Sequence, residues 1–359
     1  MAPRVTVLIT AFQRQKYLMD AVRSVLASTV GRDLYEVILV IDEIDDRLAA
    51  GIAELGVQII RTPSSRGGEM WVAGLRAASG DVVAFLDDDD CFYPGKLARL
   101  LEIFSDPAVV WYHHGFRRVD AMRRPLSPSV PTPSPPRSYP APLSREDFGR
   151  IRHAGGFYNN TCHAVRRSAI VGNLDGFVEV TFGQDFAIPL LTSGPGRVVI
   201  DLTNILSEFR THWSQGSHPL AGNQIPESHL RFLRGIVRTF LSLTQKAPTE
   251  DARGFSRCRA ESYETLLWTT RGESISDPRG APARAVRAVY GNLAERDLFH
   301  ATILSSFLVM APVSRPFTEA VYMTLKRVEM RSIGLEPPKP SGVVGGIPGD
   351  ASHVVIGLR

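Results

Sequence analysis

Four consecutive carboxylates at residues 87–90 follow directly after an apolar run at residues 82–86. The apolar run predicts a short buried strand, so the acids lie where that strand leaves the sheet. Adjacent like charges repel each other, and a hard divalent cation shared with the phosphates of a nucleotide would relieve that repulsion. Ligands of α/β sheets bind at the carboxyl ends of the strands. The run therefore predicts a cation and phosphate site, with a solvated acidic turn as the alternative.

The acids belong to a part of the chain in which strand and helix signals alternate with short connections. Repeated β-α-β order with apolar strands predicts a parallel sheet that is covered on both faces. A strand near residues 197–202 is expected as a late addition to this sheet. The predicted early strands are 5–10, 37–41, 58–61 and 82–86, and the predicted early helices are 17–28, 69–78 and one that Pro94 opens.

The composition is that of an ordinary globular protein of 359 residues with a net charge of +4. The basic residues are not interleaved with aromatic ones in a single patch, which argues against a nucleic-acid partner. Three widely spaced cysteines indicate a reducing compartment and no zinc site. Residues 1–4 are too short for a signal peptide, and no window reaches the ~18 apolar residues of a membrane span. We therefore expect a cytoplasmic protein.

The second half of the chain changes character. Residues 125–142 are rich in proline, serine and threonine, which predicts a linker or a long mobile loop over a site. From about residue 225 the pattern is mostly helical, with helices expected at 230–243 and 260–270. We predict a catalytic domain over residues 1–220, a helical region over 221–335 and a flexible tail over 336–359.

Two apolar stripes close the helical region, at residues 298–311 and 317–328. One interpretation is a helical hairpin packed on the core. The other is an interfacial membrane anchor, with the apolar face in lipid and the basic end on head groups. Under the second interpretation the protein is peripheral on the inner face of the cell membrane.

Several short motifs, taken in order, resemble inverting glycosyltransferases of family 2. Residues 10–14 (TAFQR) resemble the exit of that family's first strand, and residues 38–43 (ILVIDE) resemble its second strand. Residues 65–67 (SRG) and 74–81 (GLRAASGD) resemble its glycine-containing run. Residues 85–90 (FLDDDD) with 94–97 (PGKL) match its DxD segment closely. The resemblance covers residues 4–215 and implies a GT-A fold, a mostly parallel α/β Rossmann-like sheet with a helical C-terminal region.

The resemblance also implies roles for the matching residues. Asp87 is expected to face the ribose or the metal, and Asp89 to bind Mn²⁺ or Mg²⁺ directly, while the roles of Asp88 and Asp90 stay open. The cation would stabilise the charge that builds on the departing diphosphate. The residues expected around the nucleotide are Thr10, Ala11, Phe12, Arg14, Asp42, Gly67, Asp87 and Asp88.

The acceptor side is expected from the later motifs. Residues 182–186 (FGQDF) resemble the segment that supplies the general base, with Asp185 in that role and Gln184 where glutamate is usual. Residues 209–217 (FRTHWSQGS) resemble a segment in which Arg210 clamps phosphate and His212 binds phosphate or the cation. Residues 155–160 are placed, by position alone, along the acceptor or sugar pocket.

These expectations converge on a metal-dependent transferase that moves a sugar from a nucleotide-diphosphate sugar to an acceptor hydroxyl. The acceptor is a lipid-linked sugar, a polysaccharide or a protein, and a membrane-bound hairpin would favour the first. Two alternatives remain. One is a sugar nucleotidyltransferase, against which residues 10–16 count because they contain no glycine. The other is a binding module for sugar nucleotides or glycans that has lost catalysis.

Overall fold

The computed structural model describes residues 4–12, 14–63, 67–126, 134–192, 194–212, 225–295, 298–312 and 314–332. Within these ranges a nine-stranded mixed sheet has the order β3-β2-β1-β4-β8-β6-β9-β5, and β7 also pairs with β9. The strands are β1 Val5–Ala11, β2 Tyr35–Ile41, β3 Gln58–Arg61, β4 Val82–Asp87, β5 Cys91–Phe92, β6 Val109–Val119, β7 Arg137–Ala141, β8 His163–Arg166 and β9 Gly196–Arg210.

The first four strands form the predicted parallel unit. β1 pairs with both β2 and β4, and β2 pairs with β3, all in parallel. All seven residues of β1 are buried, as expected for a strand covered on both faces. The register sets Thr10 beside Asp87 and Ala11 beside Ile41, so the carboxyl ends of β1, β2 and β4 lie at one edge.

The other half of the sheet is not purely parallel. β8 is antiparallel to both β4 and β6, and β9 runs parallel to β6 but antiparallel to β5 and β7. The strand expected at 197–202 is confirmed and is longer than predicted. The prediction of a linker or loop across 125–142 is wrong in part, because β7 lies within it and pairs with β9. Residues 127–133 of that segment lie outside the described residues.

Helices cover the two faces of the sheet and build two separate cores. Leu8 of β1 points into one core, and Val7 and Ile9 point into the other, as strand alternation requires. The helices are α1 Leu18–Leu26, α2 Asp46–Glu54, α3 Gly67–Ala77, α4 Lys96–Ile103, α5 Arg145–His153, α6 Gln184–Leu191, α7 Glu227–Lys246, α8 Glu250–Arg271, α9 Ala281–Ala294, α10 Leu298–Met310 and α11 Arg315–Ser332.

The C-terminal helices form a third core. Phe307 of α10 and Met323 of α11 are buried there against Leu233 of α7 and Leu267 of α8. Part of each apolar stripe of the terminal hairpin is thus used in packing, which favours the hairpin interpretation over the membrane anchor. Phe317 and Leu325 of the second stripe are 58% and 41% exposed. Among the described residues, none of the helices is both long and apolar enough to cross a membrane. The predicted tail, residues 336–359, lies outside the described residues.

Candidate functional site

Three carboxylates converge at the end of β4. One oxygen each from Asp87, Asp89 and Asp90 lies within 4.8 Å of the others. The chain turns sharply here, because the main-chain N–H of Asp90 donates to the carbonyl of Asp87 at 3.2 Å. Ligands on opposite sides of a hard divalent cation are roughly 4 to 5 Å apart, so these oxygens fit one shared ion.

Asp90 is fixed more firmly than its neighbours. It is 1% exposed and accepts hydrogen bonds from Thr161 Oγ1 at 2.6 Å, Asn159 Nδ2 at 3.2 Å and the main-chain N–H of Arg210 at 2.9 Å. Burial raises the pKa of Asp90 well above its ordinary value, and the charges of Asp89 and Asp87 add to the rise. A cation would remove the cost of keeping these neighbouring carboxyls charged.

A short segment before β8 supports the cluster through hydrogen bonds. Asn160 Nδ2 donates to both carboxylate oxygens of Asp87 at 3.2 and 3.3 Å, and Thr161 Oγ1 accepts from the Asp87 N–H at 3.2 Å. Asn159 has a left-handed backbone, with φ of 77°, and its side-chain oxygen accepts from the Thr161 N–H. This tight turn lets both asparagine amides reach the acids.

Arg14 is the main counter-charge of the cluster. Its guanidinium pairs with Asp88 at 2.6 Å and with Asp89 at 2.8 Å. The Arg14 side chain is 18% exposed, and those of Asp88 and Asp89 are 3% and 6% exposed, so solvent screens these pairs little. The structure therefore places Arg14 on the acids, and its predicted contact with the nucleotide stays a prediction.

The two residues expected to hold phosphate both reach the cluster from the end of β9. His212 Nε2 lies 3.2 Å from Asp89 Oδ2, and a carboxylate can only accept, so this nitrogen carries the proton. Arg210 is 2% exposed and donates to Asp20 Oδ2, to the Ala121 carbonyl and to the Asp89 carbonyl. These contacts show Arg210 fixing the Asp89 main chain. Its predicted role on phosphate, and the role of His212 on the cation, remain untested. Residues 213–217 lie outside the described residues.

Asp185 lies in the first turn of helix α6, and its carboxyl is close enough to Asp87 for the two charges to interact. Burial raises the pKa of its carboxyl to about 7, and the charge of Asp87 contributes to that rise. The main-chain N–H groups of Phe186 and Asn159 oppose the shift by donating to the carboxylate. A carboxyl with a pKa near neutrality is suited to proton transfer at physiological pH.

Gly67 and Gln184 are in contact with each other. A Cβ added at Gly67 would lie 2.1 Å from Gln184 Nε2, and one added at Gly68 would lie 1.7 Å from the Phe177 carbonyl. The close approach predicted for this glycine thus exists, but it is made to Gln184, the first residue of α6. The nucleotide contact of Gly67 is not tested by this geometry.

The remaining predicted nucleotide residues lie at the same sheet edge. Thr10 Oγ1 accepts a hydrogen bond from Trp71 Nε1 at 3.2 Å within the core, and Ala11 is fully buried beside it. Phe12 is half-buried against the core that contains α3, and Asp42 is half-buried at the end of β2. The register sets Thr10 beside Asp87 and Ala11 beside Ile41, and Phe12 and Asp42 directly follow these strands at the same edge.

Sequence reasoning gave Asn159 and Asn160 only a position-based place on the sugar or acceptor pocket and did not single out Thr161. Their contacts with Asp87 and Asp90 depend on β8 pairing with β4, a contact between residues about 80 apart. The one local signal is the adjacent pair of asparagines, which is typical of a turn that exposes side-chain amides.

The chain was compared with known proteins at the level of sequence. Residues 6–171 match the family model described as Glycosyl transferase family 2. An uncharacterized glycosyltransferase of Nostoc sp. is 35% identical over 124 residues, which is 33% of this chain and 38% of that protein. Another, from Haemophilus influenzae, is 28% identical over 112 residues, 30% of this chain and 37% of that protein. The match thus spans less than two fifths of either relative.

Solved structures show the same fold over nearly the whole chain. The crystal structure of S. aureus TarS 1–349 in complex with UDP-GlcNAc has a TM-score of 0.57 at 12% identity and covers 91% of this chain and 92% of that one. The complex of the same protein with UDP has a TM-score of 0.55 at 14% identity, covering 96% and 95%. The predicted GT-A architecture with a helical C-terminal region is confirmed. Over residues 6–171, which are less than half of the chain, the sequence is thus similar to glycosyltransferase family 2.

Proposed function

We propose that this protein is a metal-dependent inverting glycosyltransferase that moves a sugar from a nucleotide-diphosphate sugar to an acceptor hydroxyl. The observation that carries the proposal is the meeting of three carboxylates at the end of β4 with a fourth, Asp185, whose pKa is raised to about 7. The family match and the nucleotide-sugar complex of the structurally similar TarS support the same reaction class.

The donor diphosphate is proposed to lie against the carboxyl ends of β1, β2 and β4. Asp87, Asp89 and Asp90 have the hard oxygen ligands that Mn²⁺ and Mg²⁺ prefer, so this triad is the proposed holder of the ion, and the expected role of His212 on the cation stays a prediction. When bound, the cation would offset the negative charge of the departing diphosphate. His212 then orients Asp89 through its 3.2 Å hydrogen bond.

Asp185 is proposed as the general base. The acceptor oxygen forms a bond to the anomeric carbon while the bond from that carbon to the diphosphate oxygen breaks, and the hydroxyl proton passes to the Asp185 carboxylate. The attack comes from the face opposite the leaving group, so the anomeric configuration inverts. The products are the glycosylated acceptor and a nucleoside diphosphate.

The test is a panel of nucleotide sugars with Mn²⁺, with release of nucleoside diphosphate as the readout. Slow hydrolysis of the donor needs no known acceptor, so wild-type turnover identifies the donor. Asp185→Asn should lower turnover at least about a hundredfold, the usual contribution of a general base, while nucleotide affinity is unchanged. Asp175→Asn, an exposed acid on the surface, is the matched control and should behave as wild type.

Each alternative function gives a different result. Binding of nucleotide sugars with no turnover of any donor, by wild type and variant alike, would establish a binding module instead. Release of inorganic diphosphate from a nucleoside triphosphate and a sugar phosphate would establish a nucleotidyltransferase. The acceptor is proposed to be a glycan or a lipid-linked sugar, to be identified by adding such acceptors once the donor is known.

A further inference from the structure

Helix α9 packs with its small side chains inward and its large apolar side chains outward. Ala281, Ala285 and Ala288 are at most 3% exposed. On the other side, Val286, Tyr290 and Leu293 are 50%, 69% and 43% exposed. The spacing of four and then three residues places these three on one face of the helix. A helix that only stabilised the fold would bury its large apolar side chains, so this face is available to a partner.

A basic cleft lies directly beside this apolar face. Its volume is about 350 Å³, and it is lined by Tyr290 together with Arg145, Arg257 and Arg287. Glu261 is the carboxylate among its lining residues. Tyr290 and Arg287 come from α9 itself, so the apolar face and the cleft form one continuous surface, which we call the α9 surface.

The arginines of the α9 surface exceed the carboxylates that face them. Arg145 and Arg287 each use Nε in an ion pair, with Glu295 at 3.2 Å and with Glu261 at 2.7 Å. Glu295 lies beneath the cleft and is also paired with the buried Arg259 at 2.7 Å.

Arg257 is exposed and adds a further positive charge to this set. Four guanidinium groups therefore meet two carboxylates, and the surface is positive.

We propose that the α9 surface docks on a membrane that contains anionic phospholipid. Val286, Tyr290 and Leu293 would enter the interface between head groups and acyl chains, and the arginines would bind lipid phosphates. A second copy of the chain fits less well, because a two-fold contact sets the same patch against itself and brings the arginines together. This surface differs from the terminal hairpin, whose Phe307 and Met323 are buried, and the proposal does not depend on glycosyl transfer.

The experiment is co-sedimentation of the full chain with vesicles of phosphatidylcholine, alone or mixed with phosphatidylglycerol, without any nucleotide sugar. We expect binding to the mixed vesicles only, and weaker binding at high salt because exposed charges are screened. Val286→Ser combined with Tyr290→Ser should abolish sedimentation. Arg257→Gln combined with Arg287→Gln should weaken binding at least about tenfold, since each basic residue near an anionic surface contributes about fivefold.

Two matched controls separate this surface from others. Val309→Ser changes an exposed apolar residue of α10, 74% exposed, and Arg47→Gln changes an exposed arginine of α2. Both should sediment as wild type does, and thermal unfolding should show all variants folded. Free glycerol phosphate should not displace the protein from vesicles.

Three results would overturn the proposal. One is equal binding to both vesicle types, another is wild-type binding by the α9 variants, and the third is displacement by glycerol phosphate, which would indicate a site for a soluble anion. Self-association that the α9 variants lose, without vesicle binding, would assign the surface to a dimer instead.

Discussion

Arg14 supplies positive charge to the same acidic cluster that is proposed to bind the cation. Its guanidinium neutralises Asp88 and Asp89 in the protein on its own, at 2.6 and 2.8 Å. A divalent cation at Asp89 would supply the same positive charge from a different group. Arg14 and the cation therefore compete for Asp89 until a diphosphate offers the guanidinium another anionic partner.

Arg14→Gln should bind Mn²⁺ about tenfold more tightly than wild type in the absence of nucleotide, a difference of about 1.4 kcal/mol. The variant should also unfold more easily without metal, by about 3 kcal/mol, because two buried carboxylates lose their arginine partner. Added Mn²⁺ should restore more stability to the variant than to wild type. Titration calorimetry and thermal unfolding measure these effects, with Arg47→Gln as the exposed control. Unchanged or weaker Mn²⁺ binding would show that Arg14 does not compete.

The acidic run also shows what the sequence could and could not predict for single residues. A cation site was predictable, because four carboxylates in a row after a buried strand repel one another unless a positive charge lies among them. The pairing of Asp87 with Asp89 rested on the resemblance to a DxD segment, but the chain leaves the strand after Asp87. The resulting turn brings Asp90 back to Asp87, and that geometry depends on contacts with Asn159 and Thr161, about 70 residues away.

Among the elements, helix α3 sets the distance between the sheet and the segment that leads to Asp185. The Gly68 N–H donates to the Val180 carbonyl at 2.9 Å, and a Cβ at this position would lie 1.7 Å from the Phe177 carbonyl. The helix itself was predictable from its apolar spacing. Its packing partner was not predictable. The segment before α6 follows about 110 residues later, and its sequence contains no pattern that indicates a contact with α3.

Gly68→Ala should destabilise the protein by about 1–3 kcal/mol, since a backbone carbonyl occupies the space and α3 must move away. Gly51→Ala in α2 is the matched control, because nothing lies within 4 Å of a Cβ there. That substitution should stabilise by about 0.5–1 kcal/mol, the cost of glycine in a helix interior. Urea unfolding of the two variants measures both changes in the free energy of unfolding, one a decrease and the other an increase. Equal effects of the two changes would mean that the contact of α3 with residues 177–180 is not tight.

Helix α2 and strand β8 differ in whether a local sequence signal could have predicted them. The α2 helix was missed, although Asp45 caps it by accepting from the N–H groups of Arg47 and Leu48, and an N-terminal capping residue is a local signal in the sequence. Strand β8 has only four residues, and its antiparallel pairing with β4 depends on the whole sheet. Local capping and periodicity are thus readable from sequence, whereas strand order across long separations is not.

At the scale of the whole molecule, three buried histidines lie on β6 and β8 in the centre of the sheet. His163 Nδ1 accepts from Trp111 Nε1 at 3.0 Å, so that nitrogen carries no proton. His113 donates through Nε2 to the Tyr158 carbonyl at 3.1 Å, and His114 donates through Nδ1 to the Gly115 carbonyl at 2.7 Å. The second ring nitrogens of His113 and His114 have no partner among the described residues. All three rings are therefore built to be neutral.

Burial lowers the pKa of His113 to about 3 and the pKa values of His114 and His163 well below 6.5. The nearby positive charge of Lys96 acts in the same direction. Between pH 6.5 and the lowered values, the unfolded chain binds protons that the folded protein does not bind. The three histidines therefore lower the free energy of unfolding as the pH decreases through this window, whereas Asp90 and Asp185, whose pKa values are raised, act in the opposite direction.

We expect each buried histidine to lower that free energy by roughly 1.4 kcal/mol per pH unit below pH 6, or about 4 kcal/mol per pH unit for the three together, before the opposing contribution of the two acids. Urea unfolding at pH 7.5, 6.0 and 5.0 measures the slope. His113→Asn should reduce the contribution of the three histidines to the slope by one third even if it lowers stability at every pH, whereas His153→Asn, an exposed residue at the end of α5, should not change the slope. A slope that His113→Asn leaves unchanged would assign the acid sensitivity to other groups. Strand β8 directly follows the segment that donates hydrogen bonds to Asp87 and Asp90. Protonation of the buried rings should therefore disrupt the candidate site together with the fold.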